Sequence, residues 1–246
     1  MVGPYSGTTV KVSLVLPVYN ERANVAELVD EIQAAFAGRT YEIVAVDDRS
    51  HDGSLDELRR LAADDDRVRV VSLARHQGQS AALAAGWTVA HGEVVVTLDA
   101  DGQNDPADAP RLVDLLSEDP TLAGIAGIRT GRRDSPWKLA QSRVANTLRN
   151  WITGDRLRDT GCGLKAFRLS ALLGLPLFDG MHRFLPTLVR IQGGRVIEVP
   201  VLHRPRRSGS SKYGMWNRVF RGLRDAFGVR WLARRALHVD AGEEPE

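Results

Sequence analysis

The sequence predicts an α/β fold: a parallel sheet covered by helices, followed by an amphipathic helical appendage. Apolar, strand-like runs alternate with helix-like periodic segments through the first half of the chain. The runs VSLVL, EIVAV and EVVVTL are continuously apolar, as strands buried on both faces are. Polar residues then gather where these runs end, and ligands of parallel sheets bind beyond the carboxyl ends of strands.

In order, strands are expected at Lys11–Pro17, Tyr41–Asp47, Val68–Leu73, Glu93–Asp99 and Leu122–Ile128. Helices are expected between them at Ala23–Phe36, Ser54–Ala63, Gln79–Ala90 and Ala107–Leu116. The second half is less regular. It reads as a helix over Trp137–Trp151, a glycine-bearing stretch DTGCGLKAFR, a helix near Phe184–Ile191, and a strand Arg195–Leu202 that runs into the basic loop HRPRRSGSSKYG. The expected organisation is a flexible start (1–10), one domain (11–212), an amphipathic helical segment (213–238) and a disordered tail (239–246).

Composition narrows the class. A chain of 246 residues with 43% hydrophobic and 26% charged residues can bury a core without staples. The single cysteine, Cys162, excludes an intrachain disulfide and suits a reducing, cytoplasmic setting. No run approaches the ~18 apolar residues of a membrane span, and the start MVGPYSGTTVKV lacks a signal-peptide pattern. Charge is uneven: residues 1–128 carry 10 Lys+Arg against 21 Asp+Glu, residues 129–246 carry 23 against 10. An acidic front half suits a cation site and a basic back half an anionic partner.

Three strand ends carry distinctive polar residues: Tyr19-Asn20-Glu21 after the first, Asp47-Asp48-Arg49-Ser50 after the second and Asp99-Ala100-Asp101-Gly102-Gln103 after the fourth. Asp99 and Asp101 flank a small residue after VVVTL, a spacing at which two carboxylates share Mg²⁺ or Mn²⁺ with substrate phosphates. Asp47 and Asp48 end another strand, where acids accept hydrogen bonds from a ribose or base; alternatively Asp47, Ser50 and Asp52 cap the helix starting near Ser54. Arg206, Arg207 and Lys212 lie among small residues in a loop able to close over phosphates, or simply to stay solvated.

Six ordered segments, SLVLPVYNE, VDDRSHDGS, LDADGQNDP, DTGCGLKAFR, GMHRFLPTLV and HRPRRSGSSKYG, resemble family 2 glycosyltransferases, in particular the branch that glycosylates polyprenyl phosphates. The resemblance spans about residues 11 to 235 and implies a GT-A fold with a Rossmann-like, mostly parallel sheet. It further implies an inverting transfer from a UDP- or GDP-linked sugar to a polyprenyl phosphate. Pro17, Tyr19, Glu21 and Asp48 match positions around the nucleoside, with Asp47 beside them. Asp99, Asp101 and Gln103 match the metal and diphosphate motif; Arg206 and Lys212 match a pair that clamps the donor phosphates. Arg129, Lys138 and Ser142 fall where acceptor-phosphate ligands stand, and Asp159 is expected to orient these groups or the sugar.

Many members of that branch carry C-terminal transmembrane hairpins; here the sequence shows one amphipathic segment, Met215–Leu237. Trp216, Phe220, Leu223, Phe227 and Trp231 recur at helical spacing among arginines, the make-up of a helix lying on an anionic membrane surface. The expectation is a cytoplasmic, peripheral protein. Nucleic acid is not an expected partner, because the aromatics collect on one helix face rather than along a basic groove. Two other readings remain. A hydroxyl acceptor would share the donor site, and a haloacid-dehalogenase-like phosphatase would place its Asp-x-Asp after an early strand rather than the fourth.

Overall fold

The apolar runs form strands close to where the sequence places them. The computed structural model describes residues 11–131, 146–205 and 215–236, with side chains of 215–221 excepted. Strands β1 (Val12–Val18), β2 (Tyr41–Asp47), β3 (Val68–Ser72) and β4 (Val94–Thr97) alternate with α1 (Arg22–Ala35), α2 (Ser54–Asp64) and α3 (Gln79–Thr88). A 3-10 turn (Pro106–Asp108) leads into α4 (Ala109–Glu118) and then β5 (Leu122–Thr130). Residues 146–153 form α5. After it come β6 (Lys165–Arg168), α6 (Leu169–Leu172), a 3-10 turn (Met181–Arg183), α7 (Leu185–Ile191), β7 (Arg195–Leu202) and α8 (Met215–Ala233). Of the helix expected over Trp137–Trp151, the part from 146 is helical, and the part before it lies outside the described residues.

One sheet holds all seven strands in the order β3-β2-β1-β4-β6-β5-β7. The pairs β1–β2, β1–β4, β2–β3 and β5–β7 are parallel, while β6 runs antiparallel to both β4 and β5. Strand β6 is the element the sequence pattern misses. Its four residues, KAFR, are charged at both ends and follow two glycines, so they show neither alternation nor an apolar run. Its direction has a consequence for function. Because β6 is reversed, its N-terminal end meets the C-terminal ends of β1, β2, β4, β5 and β7 on one edge of the sheet.

Helices cover both faces. In β1 and β2, Leu14, Leu16, Ile43 and Ala45 pack with Val25, Leu28, Leu58 and Leu112 on one side. On the other side Val15, Val44 and Val46 pack with Leu83, Trp87, Phe167 and Leu188. This two-sided burial explains the unbroken apolar runs. Helix α3 sits so close to the sheet that a Cβ at Gly86 would overlap Val15 and stand 3.2 Å from Val46 Cγ2.

In helix α8, Phe227 and Trp231 of the aromatic line face outward, while Leu223, expected on the same line, packs inward. Ala226 and Val229 are buried in the second core cluster with Leu223 and Leu232 packed against it, while Phe227 and Trp231 are exposed. The small residues that fill the groove carry little weight in a hydrophobicity pattern, so the buried stripe is rotated away from the Phe227–Trp231 line. Among the described residues no helix is long and apolar enough to cross a membrane.

Candidate active site

The shared edge begins with two strained turns. Asn20 (φ 54°) follows β1 and Arg49 (φ 64°) follows β2, both left-handed, a conformation costing a non-glycine residue about 1–2 kcal/mol. They persist because the turns lock together: Asn20 N donates to Ser50 Oγ (3.0 Å) and His51 N to Asn20 Oδ1 (2.7 Å). Pro17 sits past the last β1–β4 pair, Val15 with Thr97, where β4 no longer needs an N–H partner from β1. Glu21, at the start of α1, receives the Asn24 side chain at 2.6 Å, and its own N–H donates to Ser54 Oγ at 2.9 Å.

The acids after β2 divide their work. Asp52 accepts from Arg22 N and from both Ser54 N and Oγ, so it satisfies the first N–H of α2, while Gly53 rather than Asp47, Ser50 or Asp52 holds the cap position itself. Asp47 accepts from Ser50 N at 3.3 Å. Asp48 is buried and reaches elsewhere, accepting from Gln77 N and Gly78 N at 2.7 Å each, with His76 Nδ1 at 2.9 Å. The His76 ring stacks on Tyr19, with centroids 4.1 Å apart. Tyr19, Asp48 and the segment before α3 therefore form one wall.

That segment also touches the carboxylate pair. Gln79, the first residue of α3, donates from Nε2 to Asp99 Oδ1 at 2.7 Å. On its other side Asp99 lies against Gly163, where a Cβ would overlap the carboxylate and stand 2.7 Å from Asn104 Oδ1. Burial first, then the charge of Asp101, push the Asp99 carboxyl up to about 6, while Lys165 and Arg129 pull it back. Lys165 is itself buried at the start of β6; desolvation lowers its pKa, and its ammonium donates to Cys162 O. Asp101 accepts from Gln103 N at 3.1 Å, which curls the loop after β4.

The same loop is stitched to the end of β7. Arg204 N donates to Gln103 O at 2.8 Å, and Gln103 Nε2 lies 3.4 Å from His203 Nε2. Arg204 is anchored in turn by Glu31 and Asp105, at 2.8 and 2.7 Å. Arg206, Lys212, Lys138 and Ser142 lie outside the described residues.

Arg129, in β5, and Asp159, ahead of β6, meet across the edge in a two-pronged ion pair: Nε to Oδ2 at 2.7 Å and Nη2 to Oδ1 at 2.9 Å. Asp159 also accepts Arg129 N at 3.1 Å and Gly161 N at 3.0 Å. Burial alone would raise the Asp159 pKa, but these bonds and the Arg129 charge outweigh it and hold the carboxylate low. By contrast Glu42, a buried acid near the start of β2, is satisfied by Ser13, Arg69 and His91 N far from this edge.

Among the described residues no group of three or more His, Cys, Asp or Glu is arranged to hold a metal. Two carboxylates suffice for a cation completed by substrate phosphate and water, and the mutual repulsion raising Asp99 is what a cation would relieve. The donor set fits Mg²⁺ or Mn²⁺. Sequence reading missed Gln79, Gly163 and Lys165, whose relation to Asp99 exists only through contacts across the fold.

Residues 13–174 match the family model described as glycosyl transferase family 2. A dodecaprenyl-phosphate galacturonate synthase from Rhizobium johnstonii is 37% identical over 95% of this chain and 72% of its own length. An undecaprenyl-phosphate 4-deoxy-4-formamido-L-arabinose transferase from Edwardsiella ictaluri is 41% identical over 83% of this chain. The chain spans only 63% of that relative's length. Among solved structures, a mannosyltransferase from Pyrobaculum calidifontis in complex with GDP-Man and Mn²⁺ superposes with a TM-score of 0.66 at 25% identity, covering 96% of this chain and 66% of its own. Glucosyl-3-phosphoglycerate synthase from Mycobacterium tuberculosis, in complex with Mn²⁺, UDP-glucose and phosphoglyceric acid, gives 0.68 at 24% identity over 89% of this chain and 80% of its own, a likeness of fold. The family-model match and the identity to these relatives agree with the architecture of the sheet edge: the chain is a glycosyltransferase and belongs to glycosyl transferase family 2.

Proposed function

We propose that this enzyme transfers a sugar, with inversion, from a UDP- or GDP-linked donor to a polyprenyl phosphate at the cytoplasmic membrane face. The observation that carries the acceptor is the 37% identity, across 95% of the chain, to a relative named for a dodecaprenyl-phosphate product. The basic second half suits a phosphorylated acceptor.

In this reading Pro17, Tyr19, Glu21, Asp47 and Asp48 line the nucleoside side, and Asp99, Asp101 and Gln103 face the diphosphate. A divalent cation bound there supplies positive charge against the departing diphosphate. Arg206 and Lys212 add charge from the loop after β7. Arg129, with Lys138 and Ser142, receives the acceptor phosphate, and Asp159 acts through Arg129 by fixing its guanidinium. A phosphate monoester is already ionised near neutral pH and needs little from a general base. What remains for the protein is to hold the acceptor in line and stabilise the leaving charge.

The test is a competition between polyprenyl phosphate and the corresponding polyprenol as acceptors for the same labelled donor. Transfer confined to the phosphate supports the reading. Transfer to the alcohol alone moves the acceptor to a hydroxyl and overturns it.

A further inference from the structure

We propose that His182 is a further donor-binding residue, a neutral imidazole whose Nε2–H donates to a hydroxyl of the transferred sugar. The inference rests on the nucleotide-sugar donor proposed above and deepens it. In that reading Tyr19 and Asp48 serve the nucleoside, Asp99 and Asp101 the diphosphate and Arg129 the acceptor, which leaves the sugar itself without a partner.

The hydroxyl of Ser80 fixes the ring. Ser80 is buried in the first turn of α3. Its Oγ accepts from Gly180 N at 3.0 Å and from His182 N at 3.4 Å. Those two bonds take both lone pairs, so the one hydroxyl hydrogen goes to His182 Nδ1, 2.9 Å away. Nδ1 therefore accepts, and the ring's own hydrogen sits on Nε2, at the edge turned away from Ser80. His182 is only half-buried, and Nε2 has no partner among the described residues. Burial first, then the charges of Arg183 and Lys165, push the imidazole pKa down to about 3. The ring therefore stays neutral near pH 7. A neutral N–H suits a sugar hydroxyl, where a cation would be drawn to the diphosphate instead.

Position selects the sugar. Three successive residues at the start of α3 each hold a different part of the edge: Gly78 N donates to Asp48, Gln79 Nε2 to Asp99 and Ser80 Oγ to His182. The ring also feels the charge of Lys165, the first residue of β6. Strand β6 lies between β4, whose loop carries Asp99, and β5, which carries Arg129. A sugar handed from a diphosphate at Asp99 to a phosphate on Arg129 crosses that gap, beside His182.

Calorimetry of the full chain with Mn²⁺ and no acceptor tests this, using UDP, GDP, UDP-glucose, UDP-galacturonate and GDP-mannose. The comparison is between the sugar donor that the parent binds most tightly and the bare nucleotide of that donor. His182→Phe fills the ring's space without an N–H. It should weaken the sugar donor about fivefold, the equivalent of one net hydrogen bond, and leave the bare nucleotide unchanged. His182→Gln restores an N–H at the Nε2 position and should bind the sugar donor within about twofold of the parent. Ser80→Ala should weaken the sugar donor selectively, because the ring loses the bond that fixes its hydrogen. Unchanged sugar-donor binding in His182→Phe overturns the proposal. So does an equal loss of sugar donor and bare nucleotide in the Phe and Gln variants, which assigns His182 to packing. Parent binding to neither UDP nor GDP would instead sink the donor reading, and the proposal with it.

Discussion

Replacing Asp159 by Asn isolates the ion pair that joins β5 to the segment before β6. The carboxylate accepts four N–H groups, from Arg129 Nε, Nη2 and N and from Gly161 N, at 2.7 to 3.1 Å. An amide keeps one acceptor oxygen and turns its NH₂ toward a donor. The two side chains are 18% and 10% exposed, so the loss falls at the lower end of the range for breaking a buried pair, about 3 kcal/mol. For a chain of this size that lowers Tm by about 6–12 °C. Because the folded-state pKa of Asp159 is depressed, its contribution is full above the unfolded value of about 3.9. It fades as pH falls through the lower folded value. The gap in Tm between parent and variant should therefore narrow in acid. Transfer should drop about 100-fold through kcat, because Arg129 loses its fixed orientation. Thermal unfolding from pH 7 down to pH 3, with kinetics at pH 7, reads all three effects. A variant with Tm shifted less than about 1 °C, a gap independent of pH and unchanged kcat would refute the reasoning.

Asp101→Ala should abolish metal-stimulated turnover while leaving the circular dichroism spectrum intact; normal metal-dependent activity would remove Asp101 from the cation site. Gln79→Ala deletes the 2.7 Å bond to Asp99. It should raise the Mn²⁺ concentration for half-maximal rate about fivefold, the equivalent of one net hydrogen bond; an unchanged metal titration would deny Gln79 a positioning role. Gly86→Ala forces a methyl into Val15. It should cost about 1–3 kcal/mol by overpacking, seen as a lower denaturant midpoint with unchanged slope.

What the sequence reveals is what depends on chain-local pattern. The runs of β1, β2 and β4 are apolar on both faces, with Ser13 and Glu42 paired inside them, because helices cover both sides, and the acids following them mark where burial stops. Asp48 and Asp99 therefore stand on one edge, as the strand-end rule anticipates, and Arg129, which only the family resemblance marks, stands with them at the end of β5. Pattern fails where meaning comes from a partner far along the chain. Strand β6 becomes a strand only by inserting between β4 and β5. Gln79 matters through Asp99, twenty residues on. In helix α8 the outward line of Phe227 and Trp231 is legible, but the buried stripe of Ala226 and Val229 that seats the helix carries too little hydrophobicity to be read.

The central claim is tested most directly by incubating the chain with radiolabelled UDP- and GDP-sugars and a short-chain polyprenyl phosphate, in Mn²⁺, Mg²⁺ or EDTA. The account predicts one donor whose label moves into an organic-extractable product with metal and not with EDTA. Label that never leaves the aqueous phase, with every donor and either metal, would contradict it.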